Sequence, residues 1–74
     1  MVYEHVSRWL IERCGCDPEE VCMAAVLDDL NVLPHERVDL MLEMEELYGV
    51  QASSQDIREF ETVDDIVGFI EDRM

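Results

Sequence analysis

The sequence predicts an all-α fold: a small bundle of three main helices with a short turn before the last, threaded by a long first loop. Three observations carry that prediction. Apolar residues recur at helical spacing in three separate segments, glycine closes the first two of them, and no alternation of period two persists anywhere in the 74 residues. A chain of this length has room for one domain, residues 1–74, and buries only about 60% of the surface its unfolded form exposes. Hydrophobic residues make up 49% of it, which is enough apolar material to build a core.

Helix one is expected over "VYEHVSRWLIERC", from Val2 to Cys14. Val2, Val6, Trp9, Leu10 and Cys14 share one face, and Gly15 stops the helix because glycine accepts a positive φ without steric cost. The following stretch, "CDPEEVCMAAVLDDLNVL", is longer than most connections in a compact domain. Asp17 can open a short helical turn there, with Glu20 in the capping-box position. Val21, Met23, Val26, Leu27 and Leu30 are expected to pin this loop to the core.

The second helix spans Pro34 to Tyr48, in "PHERVDLMLEMEELYG", with Gly49 as its stop. Val38, Met41, Leu42, Leu47 and Tyr48 are assigned to its apolar stripe, and Glu36, Asp39, Glu43 and Glu46 to the opposite, acidic side. Met44 is read with Met41 as gap-filling core. "DIREF" supplies one turn at most. Thr62 then caps a last helix with Val63, Ile66, Val67, Phe69 and Ile70 on its inner face, weakened slightly by Gly68.

Charge narrows the function. Nineteen acidic residues face five basic ones, all arginine, for a net charge of −14. Binding nucleic acid or anionic lipid requires neutralising phosphates with Lys or Arg, so neither is an expected partner. A protein with a basic patch is, because opposite potentials steer encounter. With no signal peptide and no apolar run of membrane-spanning length, a cytoplasmic, monomeric protein is expected. Three cysteines, Cys14, Cys16 and Cys22, do not make a disulfide framework, and their C-x-C-x5-C spacing is not a common zinc pattern even with His5 or His35 as fourth ligand.

Several strings in order resemble the acyl carrier protein family over the whole chain. "ERCGCDPEEV" is similar to the family's exit from helix one; "DDLNVLPHERVDLMLEMEELYGV" resembles its D-L-G-x-D-S-L-D-x-V-E-L motif and acidic second helix; "FETVDDIVGFI" resembles its final helix. The resemblance implies an acyl-carrier-like bundle working in fatty acid or polyketide metabolism. At the motif the chain departs from the pattern. Asp29 and Leu30 match, Asn31 replaces glycine, and Leu33, Pro34 and His35 replace Asp-Ser-Leu. In the family that serine carries 4'-phosphopantetheine, so Pro34, which has no nucleophile, implies that no such cofactor is attached there. Glu36, Asp39, Glu45 and Glu46 align with the acids by which the family docks on its enzymes, and Glu43 lies on the same acidic helix.

The expected role is therefore a non-catalytic docking, adaptor or regulatory module without an enzyme active site. His35 is expected to be a solvated first-turn residue, since no nucleophile accompanies it. Two alternatives stay open: an acyl carrier with a relocated attachment point, at a cysteine or at Ser53 or Ser54, and a cysteine-based metal domain. Cys14 and Cys22 are the cysteines expected in half-buried apolar positions.

Overall fold

The computed structural model describes residues 1–74 as four helices, α1 Val2–Arg13, α2 Pro34–Tyr48, α3 Ser54–Glu59 and α4 Val63–Arg73. Val2, Val6, Trp9 and Leu10 of α1 meet Val63, Ile66, Val67 and Ile70 of α4, the residues that helical periodicity places inward on each. Arg13 ends α1, Cys14 caps it, and Gly15 turns the chain at φ +73°, as the sequence leads one to expect. Gly49 does the same for α2 at φ +69°.

The segment "DIREF" departs from expectation. It is not a single turn but part of a six-residue helix, because Ser53 supplies a cap that the apolar pattern does not reveal. Its hydroxyl accepts from the Asp56 N–H at 3.1 Å while the Asp56 carboxylate accepts from the Ser53 N–H at 3.0 Å. Thr62 and Asp65 repeat this reciprocal box at the start of α4, with 3.2 Å and 3.1 Å bonds.

In α2 the expected stripe is corrected. The buried residues are Leu40, Met41 and Met44, whereas Val38, Leu42 and Leu47 are exposed. Leu and Val occur on both faces of this helix, so apolar content alone does not fix its rotation. Arg37 lies on the inner side with Leu40, Met41 and Met44, at i, i+3, i+4 and i+7.

The long loop is held by backbone rather than by all the expected apolar anchors. Val21, Leu27 and Leu30 are buried, as is Val32, but Met23 and Val26 are exposed. Instead, the Leu27 N–H donates to the Glu61 carbonyl at 2.8 Å, Val63 to Ala25 at 3.0 Å and Asp64 to Met23 at 2.9 Å. An isolated antiparallel bridge, Val26 to Thr62, results. Asp17 accepts from the Glu19 N–H at 2.9 Å and closes a turn, not a helix. Of the cysteines, Cys14 is half-buried as expected, whereas Cys22, expected to be half-buried too, is exposed and Cys16 is the buried one.

The capping carboxylates give the fold a defined acid response. Asp65 is held below the usual carboxylate range first by the Glu61 and Thr62 amides, and Asp56 first by the Ser53 amide. A group whose folded pKa is depressed contributes stability above its unfolded value, near 3.8 for aspartate, and loses it as pH falls through the folded value. Urea midpoints of the natural chain and of Asp65→Asn are expected to draw together as pH falls from about 5 to below about 3.8 and on through the folded value. A constant gap between them across that range would show that the Asp65 charge does not matter to folding.

Candidate functional site

Position 34 begins α2. The N-terminal turn of this helix forms without a polar cap, because Leu33 at the cap position has no side-chain acceptor. Proline compensates at the next residue, since its φ is already helical and its absent N–H needs no partner. Half of a capping box remains: Glu36 Oε1 accepts from the Leu33 N–H at 2.9 Å. That bond is the first cause holding the Glu36 carboxyl below its ordinary range, and the Cys14 thiol adds to it. In return, burial first and then Glu36 push the Cys14 thiol up to about 12, and burial raises Cys16 as well. Neither thiol is poised as a nucleophile at neutral pH.

Asn31, which precedes this turn, has φ +60°. Asparagine is among the few non-glycine residues that enter the left-handed region readily, so the substitution seen in the sequence preserves the backbone path. Beyond it, the Arg37 guanidinium reaches back across three segments. Nε donates to the Val32 carbonyl at 3.1 Å, Nη1 to the Phe60 carbonyl at 3.4 Å and Nη2 to Asp28 Oδ1 at 2.6 Å. The side chain is 13% exposed while its carboxylate partner is 87% exposed. The loop before α2, the start of α2 and the end of α3 are thereby tied to one cation. No sequence pattern marked Arg37; an arginine among inward-facing positions was the only signal.

The acidic residues of α2 divide into two sets. Glu36 is bound to Leu33, Glu45 Oε2 accepts from the Ala52 N–H at 2.7 Å, and Glu43 pairs with Arg13 at 3.6 Å. Asp39 and Glu46 are exposed and have no partner within the fold. They share the outward face with Val38 and Leu42, 42% and 56% exposed, so this surface offers carboxylates and apolar side chains together. Leu33 extends it at 53% exposed, and His35 is exposed beside it. The structure thus brings Asp39 and Glu46 to a free surface and engages the other three acids internally.

No metal-binding grouping accompanies this surface. No three His, Cys, Asp or Glu side chains converge so as to hold a metal ion, which leaves Cys14, Cys16 and Cys22 without the ligand set that a metal domain needs. His5 lies instead against Tyr48, with its Nδ1 hydrogen-bonded to the phenol and the rings edge to face at 5.6 Å. No helix is long and apolar enough to cross a membrane.

Comparison with known proteins gives a consistent picture. No family model matches the sequence. An acyl carrier protein from Thermotoga maritima is 31% identical over 74 residues, covering 99% of this chain and 91% of its own. Another from Solidesulfovibrio magneticus is 34% identical over 71 residues, covering 95% of this chain and 91% of its own. A crystal structure of an acyl carrier protein from Thermotoga maritima superposes with a TM-score of 0.81, covering 99% of this chain and 91% of that one. Identity in that superposition is 17%, so it speaks for the fold, the all-α bundle with a long first loop that the resemblance implies. Relatives above 30% identity over nearly the full length of both partners, with the same arrangement of helices, establish that the chain belongs to the acyl carrier protein family.

Proposed function

We infer that this protein is a docking, adaptor or regulatory module of acyl metabolism that does not carry 4'-phosphopantetheine at the start of α2. The observation behind this reading is Pro34, exposed at the first position of the helix where the family resemblance calls for the modified serine. A phosphodiester needs a hydroxyl oxygen, and proline offers none. The outward face of α2 supports the other half of the reading. Asp39 and Glu46 have no internal partners, so they are available to a basic patch on an enzyme of fatty acid or polyketide type, with Val38 and Leu42 supplying apolar contact. Glu36, Glu43 and Glu45 contribute to the field around that face while their hydrogen bonds hold it in shape.

A relocated attachment point is the competing reading. Cys22, Ser53 and Ser54 are exposed, but the Ser53 hydroxyl is committed to capping α3, of which Ser54 is the first residue. Intact mass separates the two readings. The natural chain and Pro34→Ser are each incubated with coenzyme A and a phosphopantetheinyl transferase of broad specificity, beside protein isolated from its native host. The expected result is that only Pro34→Ser gains one phosphopantetheine. A pantetheine or acyl adduct on the native protein overturns the proposal, and return to the unmodified chain mass with hydroxylamine would mark a thioester made directly on a cysteine, whereas a residual phosphopantetheine mass would mark a serine.

A further inference from the structure

Of the hydroxyl side chains in the sequence, all but one are hydrogen-bonded within the fold. Tyr3 donates to the Val21 carbonyl, Tyr48 pairs with His5, and Ser7 donates to the Glu4 carbonyl. Ser53 and Thr62 accept from the N–H groups of the helices they cap. Ser54 is the exception: it is exposed, stands first in α3, and its hydroxyl has no internal partner. It lines an opening between the start of α2 and α3 whose ionisable groups are His35, Arg37 and Arg58, with no carboxylate among its walls in a chain that has nineteen. The acids nearest to it on α3 are turned to other partners: Asp56 accepts from the Ser53 N–H, and Glu59 accepts from Gln55 at 3.4 Å. Arg37 is engaged by Asp28 and two carbonyls. Arg58 is exposed, enters no ion pair and follows Ser54 at i+4, so the two side chains share one face of α3. A dianion on Ser54 would meet cations and no acid, whereas one on Ser53 would meet the Asp56 carboxylate.

We propose that Ser54 is a phosphorylation site, its phosphate received by the Arg58 guanidinium and facing the His35 imidazole. A protein kinase and a nucleoside triphosphate supply the group. The bond from Ser54 Oγ to the γ-phosphorus forms and the bond from that phosphorus to its bridging oxygen breaks. The nucleoside diphosphate leaves, and the hydroxyl proton passes to the base of the kinase. Side chains receive the phosphate, so the short α3 need contribute nothing from its N-terminus. The modification makes an acid-free part of the surface anionic. Val38 lines the same opening and stands on the outward face of α2, so the new charge adjoins that face. An effect on docking is a consequence that rests on the role inferred above; the phosphorylation itself does not.

Protein isolated from its native host is weighed intact before and after phosphatase treatment. The expected result is a species heavier by one phosphate that phosphatase removes, with fragmentation placing the group on Ser54. A pantetheine adduct has a different mass, so this outcome is read separately from the test of the docking role. The full chain is also made with phosphoserine installed at position 54 or at position 53, and each is titrated by ³¹P resonance. The second ionisation of phosphoserine lies near pH 6, and a neighbouring cation favours the dianion. Position 54 is therefore expected to titrate at least about half a pKa unit below position 53 in the same acidic chain, and Arg58→Gln to remove most of that difference. Matching thermal melts of Arg58→Gln and the natural chain establish that the variant folds, as expected for an exposed side chain without an ion pair. The proposal falls if the native protein carries no phosphate or carries it on another residue, if the two positions titrate alike, or if Arg58→Gln leaves the difference intact.

Discussion

Leu40→Ala is expected to destabilise the fold by about 2–5 kcal/mol, whereas Leu42→Ala, two residues away on the same helix, should stay within about 0.5 kcal/mol of the natural chain. Leu40 has no solvent exposure and Leu42 is 56% exposed. Truncating Leu40 removes buried methyl groups and leaves a cavity between helices that cannot close fully, so the transfer cost and the cavity cost add. Truncating Leu42 removes a side chain that was already largely in water. In a domain of this size each kcal/mol moves Tm by roughly 4–8 °C, so the first variant is expected to lose at least about 8 °C and the second almost nothing. Equal losses from the two variants would mean that α2 is rotated from the register described, and the outward surface assigned to docking would then have to be redrawn.

Arg37→Met is the second large effect, at about 2–3 kcal/mol in urea unfolding. Methionine keeps much of the aliphatic length but donates nothing. The carbonyls of Val32 and Phe60 then lose a partner in a poorly hydrated place, and unsatisfied buried acceptors are costly. The ion pair itself is the lesser part, because Asp28 is 87% exposed and an exposed carboxylate readily recovers its hydration. Asp28→Ala is therefore expected to cost no more than about 1 kcal/mol. Arg37→Lys should fall between, since one ammonium cannot reach three acceptors spread around a planar fork. If Asp28→Ala matched Arg37→Met, the charge pair and not the carbonyl bridging would be what holds the loop.

These two residues also show where sequence reasoning ran out. α1 and α4 each have one apolar face against one polar face, so their inner residues could be read directly from spacing. α2 has leucine, valine or methionine on nearly every side. There the period is helical but its phase is ambiguous, and assigning Val38, Leu42 and Leu47 to the core was a failure of phase, not of helix recognition. Ser53 was similarly hidden, because a six-residue helix is made by its capping hydrogen bonds and has too few apolar positions to show a period. The candidate site was legible in part. Pro34 and the acids of α2 could be named from the motif, but which acids are free depends on Ala52, Leu33 and Arg13, and two of these lie well outside the helix.

What the sequence determined by itself is the chemistry available: helix-forming segments with their glycine stops, an excess of carboxylates, a family motif, and a proline where the motif has a hydroxyl. Those properties are local, written in single residues or in spacings of three and four, and they do not depend on what the helices pack against. Only the tertiary structure decided which side of α2 faces out, that Asp39 and Glu46 remain unpaired, and that Arg58 stands alone at an acid-free groove. Each of those facts arises from contacts between segments distant in the chain, set by packing and by the satisfaction of buried carbonyls, which no local spacing encodes.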